Sequence, residues 1–144
     1  MKKIALLIVI VFSLYGCLDK NPDFIQSFAK QSATDDSALT SAYENRKSDV
    51  QVGGSGVVIR NLADDTSGSR HQKFILKLSS GQTLLISHNI DWAPRINSLR
   101  KGDTVNFYGE YEWNSKGGVV HWTHHDPRGN HIGGWLKHNG VTYQ

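Results

Sequence analysis

His71-Gln72-Lys73-Phe74-Ile75-Leu76-Lys77-Leu78, then Ser79-Ser80-Gly81-Gln82, then Thr83-Leu84-Leu85-Ile86-Ser87, is the stretch that decides the fold. Phe74, Leu76 and Leu78 fall on one side of a period-two pattern, and Lys73, Ile75 and Lys77 on the other. Successive side chains of an extended chain point to opposite faces, so this alternation predicts a half-buried strand. The segment Ser79 to Gln82 is then a hairpin connection, and Thr83 to Ser87 is the returning strand.

The same texture extends both ways. Upstream, Val50, Val52, Val57, Val58 and Ile59 form a β-rich run, and Gly53-Gly54-Ser55-Gly56 within it predicts a bend or bulge. Asn61 to Ser69 reads as a polar turn. Downstream, His88 to Leu99 contains Pro94 and has no clean period, which predicts an irregular crossing with at most one helical turn. Thr104 to Trp113 and Val119 to His125 read as two more strands, joined by Asn114-Ser115-Lys116-Gly117-Gly118. Asp126-Pro127-Arg128-Gly129 then turns the chain towards Trp135. Five strands with glycine-rich turns predict a mainly β domain over residues 49–144, a five-stranded OB-like Greek-key barrel. The entry Leu99-Arg100-Lys101-Gly102-Asp103-Thr104-Val105 into the fourth strand resembles OB-folds. A fold of this kind names no function.

The first residues carry an address. Met1-Lys2-Lys3 is a short positive start, and Ile4 to Leu14 follow without a charge. A bilayer span needs roughly 20 apolar residues, so residues 1–16 read as a secretory signal peptide. Leu14-Tyr15-Gly16-Cys17 resembles the lipobox of bacterial lipoproteins, and Cys17 is the single cysteine, the expected site of lipidation. Residues 17–48 are expected to form a lipid-anchored tether, with Phe24, Ile25 and Phe28 on one face of a short helix after Asn21-Pro22-Asp23. Leu18 stands where inner-membrane retention would place aspartate. A periplasm-facing, outer-membrane anchor through acylated Cys17 follows. Without Lys2 and Lys3 the net charge of +3 falls to +1, so the basic balance does not argue for a polyanion partner.

From about Gly56 onward the chain resembles a bacterial family known only as domain-of-unknown-function family 3465. The carrying residues are Asp64-Asp65 with Arg70-His71-Gln72-Lys73-Phe74, Ser87-His88-Asn89-Ile90-Asp91-Trp92-Ala93-Pro94-Arg95, and Gly109-Glu110-Tyr111-Glu112-Trp113. His121-Trp122-Thr123-His124-His125-Asp126-Pro127, His131 and Gly134-Trp135 complete the set. The resemblance implies that these clusters form one surface; it implies no substrate.

Seven histidines concentrate the chemistry. On a straight strand His121 and His125 lie about 13 Å apart, too far to share an ion whose nitrogen ligands sit about 2 Å away. A type I turn at Asp126-Pro127-Arg128, with Gly129 left-handed, instead places His125 opposite His131; a tighter register places His124 there. Opposed Cβ atoms about 5 Å apart bring two imidazoles together. His121, His125, Asp126 and His131 are therefore the candidate ligands of a divalent metal such as zinc. Glu110 or Asp91 is the candidate catalytic base. His71, His88, Asn89, Asp91, Arg95, Trp122, His124 and Arg128 are the candidate binding residues, rings and guanidiniums that hold flat or anionic groups. Three functions compete. The first is an exported binding module for a glycan, an anionic ligand or, less favoured, a nucleic-acid strand. The second is a metal-dependent hydrolase or nuclease. The third is a structural or assembly protein of the envelope. No phosphate loop, nucleophile elbow or nucleotide fingerprint is present.

Overall fold

The computed structural model describes residue 26 and residues 36–144. The leader, the lipobox at Cys17, and Phe24, Ile25 and Phe28 of the expected helix lie outside the described residues; Gln26 is helical. Seven strands follow one another: β1 Val50–Asn61, β2 His71–Lys77, β3 Thr83–Asn89, β4 Thr104–Glu112, β5 Val119–His121, β6 Trp135–His138 and β7 Val141–Tyr143. The order β1-β2-β3-β5-β4, with β1 also paired to β4, closes a five-stranded barrel of OB topology. All barrel pairings are antiparallel except β3–β5, a parallel seam of two residue pairs.

Period-two patterning does the work expected of it. Gln72, Phe74 and Leu76 of β2 and Leu84, Ile86 and His88 of β3 all point inward. The core they form is completed by Val105, Phe107, Tyr111, Val120 and Leu136. The expected break in β1 falls elsewhere. Val50 to Val57 pair with β4 in unbroken register, and the slip lies between Val58 and Arg60, where β1 pairs with β2. The glycines serve packing: a Cβ at Gly54 would lie 2.8 Å from the Phe107 ring.

The crossing from β3 to β4 has no helix. It sends Ala93, Ile96 and Leu99 inward, and Gln72 clamps it by accepting from the Ile96 amide at 2.8 Å and donating to the Ile96 carbonyl at 2.9 Å. The domain also starts earlier than the boundary expected at residue 49. Residues 36–44 are helical and bury Leu39 and Ala42 in the core, while Trp113 donates its indole N–H to the Tyr43 carbonyl. That segment of the expected tether is part of the fold, because two apolar side chains one turn apart find the open barrel end.

The chain after β5 departs most from expectation. The strand expected to run to His125 stops at His121, since Trp122 adopts a left-handed φ of 53°. A C-terminal hairpin, β6–β7, then adds to the edge of β4 that β5 leaves free. Its turn is Asn139-Gly140, both with positive φ, the two-residue connection whose twist suits paired strands.

Candidate functional site

The outer face of the barrel carries an acidic and imidazole cluster built by register. Gln51 on β1 pairs with Glu110 on β4, and Glu110 pairs with His121 on β5, so three outward side chains lie in one row across the ladder. Glu112, two residues on, shares the face. His121 Nε2 lies 3.5 Å from Glu110 Oε1 and 3.6 Å from Glu112 Oε1, too long for hydrogen bonds. That nitrogen is shielded from solvent and has no hydrogen-bond partner among the described residues, and neither has Gln51 Nε2. Asp49 adds a third carboxylate: its hydrogen bond to Glu112, with the Glu112 charge, raises its pKa above the usual range.

His131 reaches the same row from the loop after β5. Its Nδ1–H donates to the Ile132 carbonyl at 2.7 Å, and its Nε2 bonds to Glu110 Oε2. Two acceptors on the two nitrogens describe an imidazolium. Burial opposes that charge, but the Glu110 hydrogen bond, the Ile132 carbonyl and the neighbouring carboxylates prevail, so the pKa is raised. The Trp122 indole stacks on His131 at 3.9 Å between centroids and fixes its plane.

Where β3 and β5 part beyond their short seam, a cleft of about 270 Å³ opens, lined by Ser69, His71, Ser87, Asn89, Trp92, His121, Trp122 and His124. His124 sits between Trp122 and Trp92, with centroids 5.2 and 5.7 Å away. Its Nδ1–H donates to the His125 carbonyl at 2.6 Å, which leaves Nε2 an acceptor without a partner among the described residues. Trp92 stands at the mouth, 40% exposed, with the Arg128 guanidinium 5.9 Å from its ring centre. Of the expected binding residues, His71, Asn89, Trp122 and His124 therefore line one cleft, and Arg128 borders it.

Others serve the scaffold. His88 is fully buried: its Nε2–H donates to the Pro94 carbonyl at 3.0 Å and its Nδ1 accepts from Thr123 Oγ1 at 2.8 Å. Burial pulls its pKa from the usual 6.5 down to about 4, so it is a neutral core residue and not a ligand contact. Asp91, a candidate base, accepts from the Arg70 amide at 2.9 Å and pairs with its guanidinium at 2.7 Å, bonds that lower its pKa. Arg95 is forked onto Asp64 at 2.9 and 3.2 Å. Neither is free for a substrate.

Of the four expected metal ligands, His121 and His131 are brought to one carboxylate, while His125 is exposed and Asp126 is taken up by its own loop. The chain does reverse at Asp126-Pro127: Gly129 N–H donates to the Asp126 carbonyl at 3.0 Å and Gly129 has a φ of 66°. No ladder follows. The Asp126 carboxylate accepts from the amides of Arg128, Asn130 and His131, which lowers its pKa and winds a compact loop in place of paired strands. His125 is left exposed, while His121 and His131 meet over Glu110. Gly134 permits this route, since a Cβ there would strike the Trp122 and Tyr108 carbonyl oxygens. Glu110, expected as a base, is the hub. Gln51 and Asp49 escape sequence reasoning because only the β1–β4 register brings them near.

A family model described as a protein of unknown function, DUF3465, matches residues 23–144. No curated protein matches the chain.

Proposed function

Because the chain belongs to the DUF3465 family of proteins of unknown function, its role is read from its own site, and we propose that it is a binding module for a sugar unit. The cleft is small, at about 270 Å³. Its lining combines two indoles, three imidazoles, two hydroxyls and a carboxamide, with no lysine or arginine. Flat apolar faces with neutral donors and acceptors suit a pyranose ring better than a phosphate backbone. Arg70 and Arg95 are engaged by Asp91 and Asp64, and Arg128 lies against the Trp92 ring at the border of the cleft. The observation that carries the reading is Trp92, a large aromatic left open at the mouth opposite the free Nε2 of His124.

The address completes the proposal: an exported lipoprotein, acylated at Cys17 and facing the periplasm from the outer membrane, would hold this cleft towards cell-wall glycans. The charged and apolar leader, the lipobox-like Leu14 to Cys17 and the single cysteine support it. Metabolic labelling with a radioactive fatty acid tests the anchor, with Cys17→Ser expected to abolish the label.

The cleft is tested by titrating the full chain, in mild detergent, with chitooligosaccharides and peptidoglycan fragments while following tryptophan fluorescence. Saturable quenching is expected, weakened about tenfold or more in Trp92→Ala, the loss of one stacked ring being worth about 1–3 kcal/mol. No response to any glycan, or a response only to a single-stranded oligonucleotide, overturns the sugar reading.

A further inference from the structure

We propose that Glu110, Glu112 and His121 form a binding site for a divalent first-row cation, with zinc the best match to their spacing. Ligand atoms of the three residues lie within 4.8 Å of one another. Two donors about 2.1 Å from a tetrahedral ion stand about 3.4 Å apart. The imidazole-to-carboxylate distances of 3.5 and 3.6 Å are of that size. They are too long for hydrogen bonds and short enough to leave no room for a water molecule between the atoms.

Two further observations point to an absent positive partner. The Nε2 of His121 is turned between two carboxylate oxygens, inaccessible to solvent and unbonded, and a buried polar atom left in that state is costly. Among the described residues no lysine or arginine forms an ion pair with Glu110 or Glu112; the only cationic partners are the two histidines. With Asp49 against Glu112, three carboxylates share one small area. An ion would take one oxygen from each glutamate and the lone pair of His121 Nε2, leaving a position for water.

Mixed donors narrow the choice of metal. Carboxylates alone favour magnesium or calcium, whereas an imidazole among them shifts preference to zinc and its neighbours. His131 acts on the site through Glu110: held flat by Trp122, it bonds Oε2 and leaves Oε1 directed at His121. Partners of this kind orient ligands and tune affinity. The site keeps His121 of the expected set of His121, His125, Asp126 and His131, takes Glu110 and Glu112 in place of the others, and shares His121 with the cleft.

The test uses the full chain in mild detergent, without a histidine tag, stripped with chelator. Calorimetric titration with zinc and with manganese is followed by elemental analysis. One zinc per chain is expected, with manganese weaker. Glu112→Gln, which does not line the cleft, and His121→Gln should each lower zinc affinity by more than about 100-fold. His131→Gln should lower it by about 10–100-fold. His125→Gln, on an exposed side chain outside the cluster, should leave it unchanged. Circular dichroism confirms that each variant is folded; Glu112→Gln replaces an outward carboxylate by its isostere and keeps the test usable if His121→Gln is unstable. Absence of binding below millimolar zinc overturns the proposal, as does affinity that survives both ligand substitutions or is lost in His125→Gln.

Discussion

Replacing His88 by glutamine should remove a loss of about 2 kcal/mol in folding stability between about pH 7 and about pH 5. The wild-type imidazole is buried with a pKa of about 4, against 6.5 in the unfolded chain. Above 6.5 both states are neutral at this residue and it contributes no pH dependence. As the pH falls below that value, the unfolded chain takes up a proton that the folded chain refuses, so folding is progressively disfavoured until the folded value is reached. The gap limits the whole effect to about 3 kcal/mol, of which about 2 kcal/mol falls between about pH 7 and about pH 5.

Other groups have to be separated from this one. His131, whose pKa is raised, contributes stability below 6.5 that is lost as the pH rises through its folded value, the opposite slope. Asp91, Asp103 and Asp126, with lowered values, act at lower pH, where their stabilisation is lost on protonation. All are common to wild type and His88→Gln, so the difference between the two proteins isolates His88. Glutamine retains an N–H for the Pro94 carbonyl and loses the acceptor for Thr123, at a cost of about 1–3 kcal/mol near neutral pH. Urea unfolding at the two pH values, with chelator present, should show this difference shrinking by about 2 kcal/mol on acidification. A difference that stays constant, or a His88 ring proton whose NMR shift titrates near 6.5 in the wild type, refutes the argument.

Two further experiments test how the site is built. Gly134→Ala should destabilise the fold by about 1–3 kcal/mol or more, because its methyl would meet backbone carbonyls that belong to two different segments; a stability equal to wild type in urea unfolding would mean that the loop after β5 takes another path. A double-mutant cycle on Arg95→Ala and Asp64→Ala should return a coupling of only about 0.2–1 kcal/mol, as suits a partly exposed surface pair. Sugar affinity unchanged in Arg95→Ala accompanies that result, and a strong affinity loss would return Arg95 to the cleft.

Legibility followed the range of the interactions. The hairpin from His71 to Ser87 is visible because alternation is local, and the same alternation carried one step further, from Leu84 and Ile86, marks His88 as inward. Pro94 and the lack of a clean period from His88 to Leu99 suggested a loop instead. The β6–β7 hairpin was hidden by its brevity: Asn139-Gly140 reads equally as a break and as a tight turn, and only pairing on β4 decides between them. The Asp126 turn was readable from its own four residues, but its partners were not. A carboxylate that captures three amides of the same loop leaves no strand for His125 to join. The row Gln51–Glu110–His121 required the mutual register of three strands distant in the chain, which no local period encodes. Helical residues 36–44 were obscured by their polar composition, with Leu39 and Ala42 as their buried apolar side chains.

The closing of β1 onto β4 also sets an order of events for a growing polypeptide. The meander β1–β2–β3 can assemble from neighbours as soon as it emerges, yet both its outer strands then lack mates until β4 and β5 are made. Bare backbone donors and acceptors on such rims invite pairing with other nascent chains. A fragment ending before Thr104 should therefore associate with itself or recruit a holdase, whereas one reaching past His121 has the strands needed to seal its ring.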